Sequence, residues 1–332
     1  MNRLEFGLLN SFQRGFPLVP EPFRVMGERF GATEAEVINA LRELAARGAV
    51  SRVGAVFAPN RIGAGTLAAV TAPPHRLEEV AASISAYPEV SHNYQREHRF
   101  NLWFVATAPS PARLTEVLDR IERDIGLPII RLRLLEEFHI DLGFDLRGNG
   151  KAGAARLAHA EMGCDLPGLG RQLLAALQDG LEIVPRPFAR LAARAGLTEG
   201  MALELIEGWI ATGLIRRFGM VVRHRVLGYE ANAMCVWDVP DEVVQKVGKT
   251  VAREPLVTLC YRRTRALPEW PYNLFCMVHG RRRVDVKREI ATICARCSLA
   301  QYPSAVLFSL HCFKQRGARY LEPERELEPA HG

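Results

Sequence analysis

The chain holds 332 residues, 48% of them hydrophobic and 24% charged, enough apolar material for two or more domains with proper cores. Its 43 Lys and Arg against 37 Asp and Glu leave a net charge of +6, which suits an acidic ligand or nucleic acid without choosing between them. No apolar run approaches a membrane span, and Met1 to Leu9 lack the basic-then-apolar pattern of a secretory signal. Seven cysteines, an odd number, then read as reduced thiols of a cytoplasmic protein.

In chain order, Leu4 to Arg14, Phe23 to Phe30 and Thr33 to Arg47 show helical periodicity, each bounded by Gly or Pro. Thr33 with Glu36 three residues on forms a capping box, and Gly48 is placed as a C′ residue. The strand Val50 to Ala58 follows, and this order predicts a winged helix-turn-helix over 1–60. Next come a strand (Thr66 to Ala72), a helix (His75 to Ala86), two strands (Val90 to Arg96, Arg99 to Thr107), a helix (Ala112 to Asp124) and a strand (Ile129 to Leu142). That order is the ferredoxin-like split βαβ, assigned to 61–147. A Gly- and Ala-rich stretch, 148–168, reads as a linker. Then the whole plan repeats, with a second winged unit over 169–225 and a second ferredoxin-like unit over 226–321. An acidic tail, 322–332, closes the chain. The expected fold class is α+β, a tandem repeat of winged helix-turn-helix plus ferredoxin-like domain.

The repeat is legible residue by residue. Val19-Pro20 and Pro22-Phe23 map to Val184-Pro185 and Pro187-Phe188; Gly48, Arg52, Gly54 and Val56 map to Gly213, Arg217, Gly219 and Val221. Further on, Tyr94 maps to Tyr261 and Asn101 to Asn273. The halves differ where chemistry concentrates. Ser91 to Phe104 packs His92, Tyr94, Arg96, His98 and Arg99 at the mouth of an alternating strand, whereas the second copy keeps tyrosine, arginines and asparagine but lacks both histidines. Cys294-x-x-Cys297 has no matching second pair and reads as two helix thiols, so no metal site is expected.

A winged helix-turn-helix followed by a ferredoxin-like domain resembles the layout of Lrp/AsnC-type regulators, here doubled. Within that class the chain is similar to siroheme decarboxylases. The resemblance rests on Ser91-His92-Asn93-Tyr94, Glu97-His98 and Asn101-Leu102-Trp103-Phe104 in the first half. In the second it rests on Arg223-His224-Arg225, Cys260-Tyr261-Arg262-Arg263, Trp270-Pro271-Tyr272-Asn273 and His279-Gly280. One departure is visible. Many relatives place His-Cys before the second tyrosine motif, where this chain has Leu259-Cys260.

The resemblance implies siroheme as substrate, losing carbon dioxide from its C12 and C18 acetates to give 12,18-didecarboxysiroheme in haem d1 or alternative haem synthesis. It implies no cofactor apart from the substrate, which carries its own iron, and a homodimer of fused chains. Four acetates and four propionates around an apolar ring call for a cationic rim and flat apolar walls. Arginine suits that rim, because its fork bonds a carboxylate bidentately. Arg96, Arg99, Arg216, Arg217, Arg223, Arg225, Arg262, Arg263 and Arg265 lie at predicted strand ends or their loops. His92 and His98 are the expected proton donors, since histidine titrates near neutral pH, with His224 and His279 ranking next. Tyr94, Tyr261, Asn101, Asn273, Trp103 and Trp270 complete the expected binding set, whereas Phe104 and Phe275 read as plain core. Two rivals remain open at this stage. A DNA-binding regulator would need basic recognition helices, but these open Thr33-Glu34-Ala35-Glu36 and carry Glu199, Glu204 and Glu207, so no specific DNA is expected. A non-catalytic haem or siroheme carrier would keep the arginines without needing two histidines.

Overall fold

The computed structural model describes residues 1–59, 61–140, 168–223 and 225–321. All but the last residue of the expected linker, and the tail, lie outside them. The first half runs α1 (Arg3–Ser11), α2 (Pro22–Glu28), α3 (Glu34–Ala46), β1 (Val50–Phe57), β2 (Ala64–Val70), α4 (Leu77–Ala86), β3 (Val90–Arg96), β4 (Leu102–Ala108), α5 (Pro111–Ile125) and β5 (Ile129–Ile140). The second runs α6 (Gly168–Leu177), α7 (Pro187–Arg194), α8 (Glu199–Ala211), β6 (Ile215–Val222), β7 (Ala231–Trp237), α9 (Val244–Val251), β8 (Val257–Arg263), β9 (Leu274–Gly280), α10 (Arg283–Arg296) and β10 (Ser304–Gln315). The local signals act as expected at α3. Thr33 N–H donates to Glu36 Oε2 at 2.7 Å, Glu36 N–H donates back to Thr33 Oγ1 at 3.3 Å, and Gly48 leaves the helix at φ +73°.

The two winged units are not separate bodies. β1 pairs antiparallel with β6, setting Gly54 opposite Gly219. Leu8, Phe23 and Leu41 of one unit share a single core with Leu173, Phe188 and Ile206 of the other. Gly219 is required there, because a Cβ would lie 2.5 Å from the carbonyl oxygens of Phe12 and Gln13.

Each ferredoxin-like sheet has the order fourth-first-third-second, β5-β2-β4-β3 and β10-β7-β9-β8. Such a sheet alone exposes two edges. Here each edge is taken by the other half. β5 pairs with β8, β10 pairs with β3, and the eight strands close into one antiparallel barrel. The halves are therefore an internal pseudo-dimer. Helices α4 and α5 cover one outer face and α9 and α10 the other, over separate cores. The barrel interior is filled by Trp103, Trp270, Phe100, Phe275, Leu132 and Leu307. Arg99 to Asn101, expected in a strand, instead form the turn before β4.

A cationic cavity between the wing sheet and the barrel

A cavity of about 440 Å³ is lined by both the β1–β6 sheet and the barrel. Alternation along β3 sends His92, Tyr94 and Arg96 into it, and the equivalent residues of β8 are Leu259, Tyr261 and Arg263. Next to them, β4 contributes Trp103, Val105 and Thr107, and β9 contributes Phe275, Met277 and His279. Arg52 and Arg217, a repeat pair, come from β1 and β6; Arg225 and Arg316 come from segments that follow strands. Six arginines and two histidines thus line the cavity with no carboxylate among the described lining residues.

These cations are held by backbone, not by counter-ions. Arg96 Nη1 donates to Leu307 O on β10 at 3.2 Å, and Arg263 Nη1 donates to Leu132 O on β5 at 2.9 Å, so each reaches across a seam between halves. Each guanidinium also stands over its own tyrosine, Tyr94 at 5.6 Å and Tyr261 at 5.2 Å. Arg217 Nη1 donates to Gln13 O at 3.0 Å and Arg52 Nη2 to Ala55 O at 3.0 Å. Burial pushes Arg96 and Arg263 down to about 10, and burial with the charges of Arg14 and Arg52 pushes Arg217 down to about 9. All three stay cationic at neutral pH. Arg52, Arg96, Arg217, Arg225 and Arg316 each keep a buried guanidinium nitrogen without a hydrogen-bond partner. Buried donors of like charge are costly until an anion arrives, so the arrangement is built for a polyanion.

The histidines are oriented in matching ways. Ser91 Oγ lies 2.9 Å from His92 Nδ1, and Thr258 Oγ1 lies 3.0 Å from His279 Nδ1. Ser91 and Thr258 are repeat equivalents, and each falls at a register shift of its strand against its neighbour. Such a bulge lets two consecutive residues face the same side, so Ser91 and His92 both reach the cavity. Burial, then Arg52, pushes His92 down to about 4, so its ring is uncharged at neutral pH.

Of the residues expected at a site, His92, Tyr94, Arg96, Trp103, Arg217, Arg225, Tyr261, Arg263 and His279 line the cavity. The others do not, for identifiable reasons. His98 sits in the turn after β3, accepting from Phe100 N–H at 3.1 Å through Nδ1 and packing on Trp270 at 5.3 Å. Trp270 in turn lies 4.8 Å behind Trp103, fully buried in the barrel interior. Asn101 and Asn273 spend their amides on backbone. Asn101 brackets Ala72 and Asn273 brackets Val239, each accepting from N–H and donating to C=O at 2.8 to 3.0 Å. Arg99 bonds Glu269 O. Arg262 pairs with Asp241 at 2.9 Å, joined there by Arg265, as a clasp on the β8–β9 loop. Arg216 pairs with Glu137 at 3.3 Å. Arg223 follows β6 with its guanidinium toward Gly48. His224 lies outside the described residues. Conversely, Phe275, read as core, is also cavity wall. Arg52, Ser91 and Thr258 were missed although the repeat flags Arg52 through Arg217; Arg316 carries no repeat signal.

Two fused winged units over a barrel of two split-βαβ sheets, with a cationic cavity between them, define an Lrp/AsnC-like protein for a large polyanionic ligand. Residues 61–139 and 226–314 match the family of the AsnC-like ligand binding domain, and residues 7–50 and 170–216 match that of the siroheme decarboxylase NirDL-like HTH domain. The siroheme decarboxylase NirDL subunit of Paracoccus denitrificans is 42% identical over 325 residues, 97% of this chain and 98% of that protein. The chain belongs to the siroheme decarboxylase family. The NirD subunit of Pseudomonas aeruginosa is 50% identical over 149 residues, 99% of that protein but 45% of this chain. The crystal structure of the siroheme decarboxylase NirDL in co-complex with an iron-uroporphyrin III analogue aligns with a TM-score of 0.68 at 29% identity, covering 95% of this chain and 94% of that one.

Proposed function

We propose that this chain decarboxylates the C12 and C18 acetates of siroheme to give 12,18-didecarboxysiroheme. The observation that carries the reading is the cavity wall itself, six arginines and no carboxylate among the described lining residues, around Trp103, Phe275, Met234 and Met277. The arginines bind acetates and propionates, the aromatic and thioether groups pack on the macrocycle, and the iron arrives with the substrate, so no separate cofactor is needed. In the reaction the bond from methylene to carboxylate breaks. Its electron pair flows into the macrocycle, which has taken up a proton, and carbon dioxide leaves; the methylene then takes a proton to become a methyl as the macrocycle releases its own. His92 supplies that methyl proton to the acetate on its own side of the cavity. Burial keeps it uncharged at neutral pH, and it gains a proton as substrate carboxylates arrive and offset that burial. Anaerobic incubation with siroheme should yield a product lacking two carboxyl groups by mass. Siroheme bound but returned unchanged would make the chain a carrier and overturn the reading.

The winged units act here as a lid and not as readers of DNA. In support, β1 and β6 are paired with each other and face the cavity, while Glu36, Glu204 and Glu207 stand exposed on α3 and α8, where they repel phosphates. Footprinting at moderate salt should find no protected site. A sequence-dependent footprint at nanomolar protein would refute this.

A further inference from the structure

Glu137 is a carboxylate in the barrel wall that the binding site does not use. On β5 it stands directly opposite Tyr261 of β8, so both side chains leave the same face of the sheet. Tyr261 lines the cavity and Glu137 lies behind it, its side chain only 12% exposed. Arg216 Nη2 approaches Glu137 Oε1 to 3.3 Å, yet that buried oxygen has no hydrogen-bond partner. At the other seam the equivalent partner of a tyrosine is Cys312, opposite Tyr94 and hydrogen-bonded to it. The seams are therefore alike in geometry and different in chemistry. The half with His92 has a thiol behind its tyrosine, and the half where Leu259 replaces that histidine has a carboxyl group.

We infer that Glu137 is the proton reservoir for the second half of the cavity, recharging the Tyr261 hydroxyl when that hydroxyl protonates the substrate. The inference rests on the decarboxylation proposed above. When the second acetate loses carbon dioxide, the electron pair left at the methylene takes the Tyr261 proton and a C–H bond forms. The phenolate takes the Glu137 carboxyl proton. Glu137 is left ionised beside Arg216, and solvent returns its proton through the exposed edge. Burial raises the Glu137 carboxyl above its ordinary range, against the pull of Arg216, and burial likewise raises Tyr261. The groups around this pair are Arg216 of β6 and Cys260 and Arg263 of β8, with Glu136 and His139 flanking Glu137 along β5. Glu136 is occupied by Gln245 of α9 at 3.0 Å.

The test follows both carbon dioxide losses by product mass in anaerobic single turnovers with siroheme, beside an absorbance titration of siroheme binding. Glu137→Gln should bind siroheme as the parental chain does and lose the first carboxyl group at the parental rate. Its second loss should be slower by about 10²-fold, so that singly decarboxylated product accumulates. Glu137→Asp should restore part of that rate. In the parental chain the second step should slow as pH rises through the Glu137 titration, and Glu137→Gln should flatten this dependence. A doubly decarboxylated product formed by Glu137→Gln at the parental rate would overturn the inference. So would an equal slowing of both steps, lost siroheme binding, or a second step abolished by His279→Ala alone. A parental chain that releases no carbon dioxide would instead refute the function itself.

Discussion

His92→Ala is expected to slow single-turnover decarboxylation by about 10²–10⁴, the usual cost of removing a positioned general acid, while siroheme binding is largely kept. The expectation stands on three features of the structure. His92 lines the cavity, the Ser91 hydroxyl fixes its Nδ1, and Tyr94 stacks on it with ring centroids 6.2 Å apart at 21°. Its pH behaviour supplies a second readout. With a folded-state value near 4 against an ordinary 6.5, the folded chain excludes the proton, so the stability gained from a neutral His92 is complete above pH 6.5 and is lost as pH falls toward 4. Substrate carboxylates reverse that preference, so siroheme binding between those values should take up a proton, and His92→Ala should abolish the uptake. His98→Ala is the matched control. Its ring packs on Phe100 and Trp270 outside the cavity, and turnover should stay within a few-fold of parental. If His98→Ala is inactive and His92→Ala is not, the assignment is wrong.

Arg96→Lys and Arg263→Lys should each weaken siroheme binding by about 10–100-fold, the loss of one charge-assisted carboxylate bond of about 1.5–3 kcal/mol. Lysine preserves the charge and much of the stem but not the planar fork, so the fold is spared while bidentate contact is lost. The double variant should lose close to the product of the two effects, because the residues sit on opposite seams. Arg262→Lys should change affinity little, since its neighbour is Asp241 and not the cavity. Equal affinities for the Arg262 and Arg263 variants, measured by absorbance titration, would contradict the division.

That division between Arg262 and Arg263 was within reach of the sequence. Strand alternation already puts Tyr261 and Arg263 on one face and Arg262 on the other, and the repeat pairs Arg263 with Arg96. Element order, the duplication and the His92–Tyr94–Arg96 triplet were legible for the same reason, since period and repetition are local signals. What escaped depends on contacts between distant strands. An amide that brackets a backbone segment, as Asn101 and Asn273 do, looks in sequence like one that reaches a ligand. The turn that carries His98 away from the cavity runs on through Arg99 to Asn101, which were read as the start of the next strand. Pairing of β1 with β6 is invisible when each is read as the wing of its own unit, and with it went Arg52. The alignment of Thr258 with His279 joins two strands and has no linear signature.

The closed barrel has a bearing on how the site comes to exist. Half of the chain alone would leave two strands unsatisfied along their length, inviting pairing with any copy nearby. Two first halves meeting in that way would build a symmetric cavity with a His92 on both sides, and two second halves would build one with none. Joining the halves in one polypeptide makes their meeting a unimolecular event at a high effective concentration, independent of how dilute the protein is. It also makes the pairing of unlike halves obligatory. Each half is then free to diverge from the other, because it never has to complement itself.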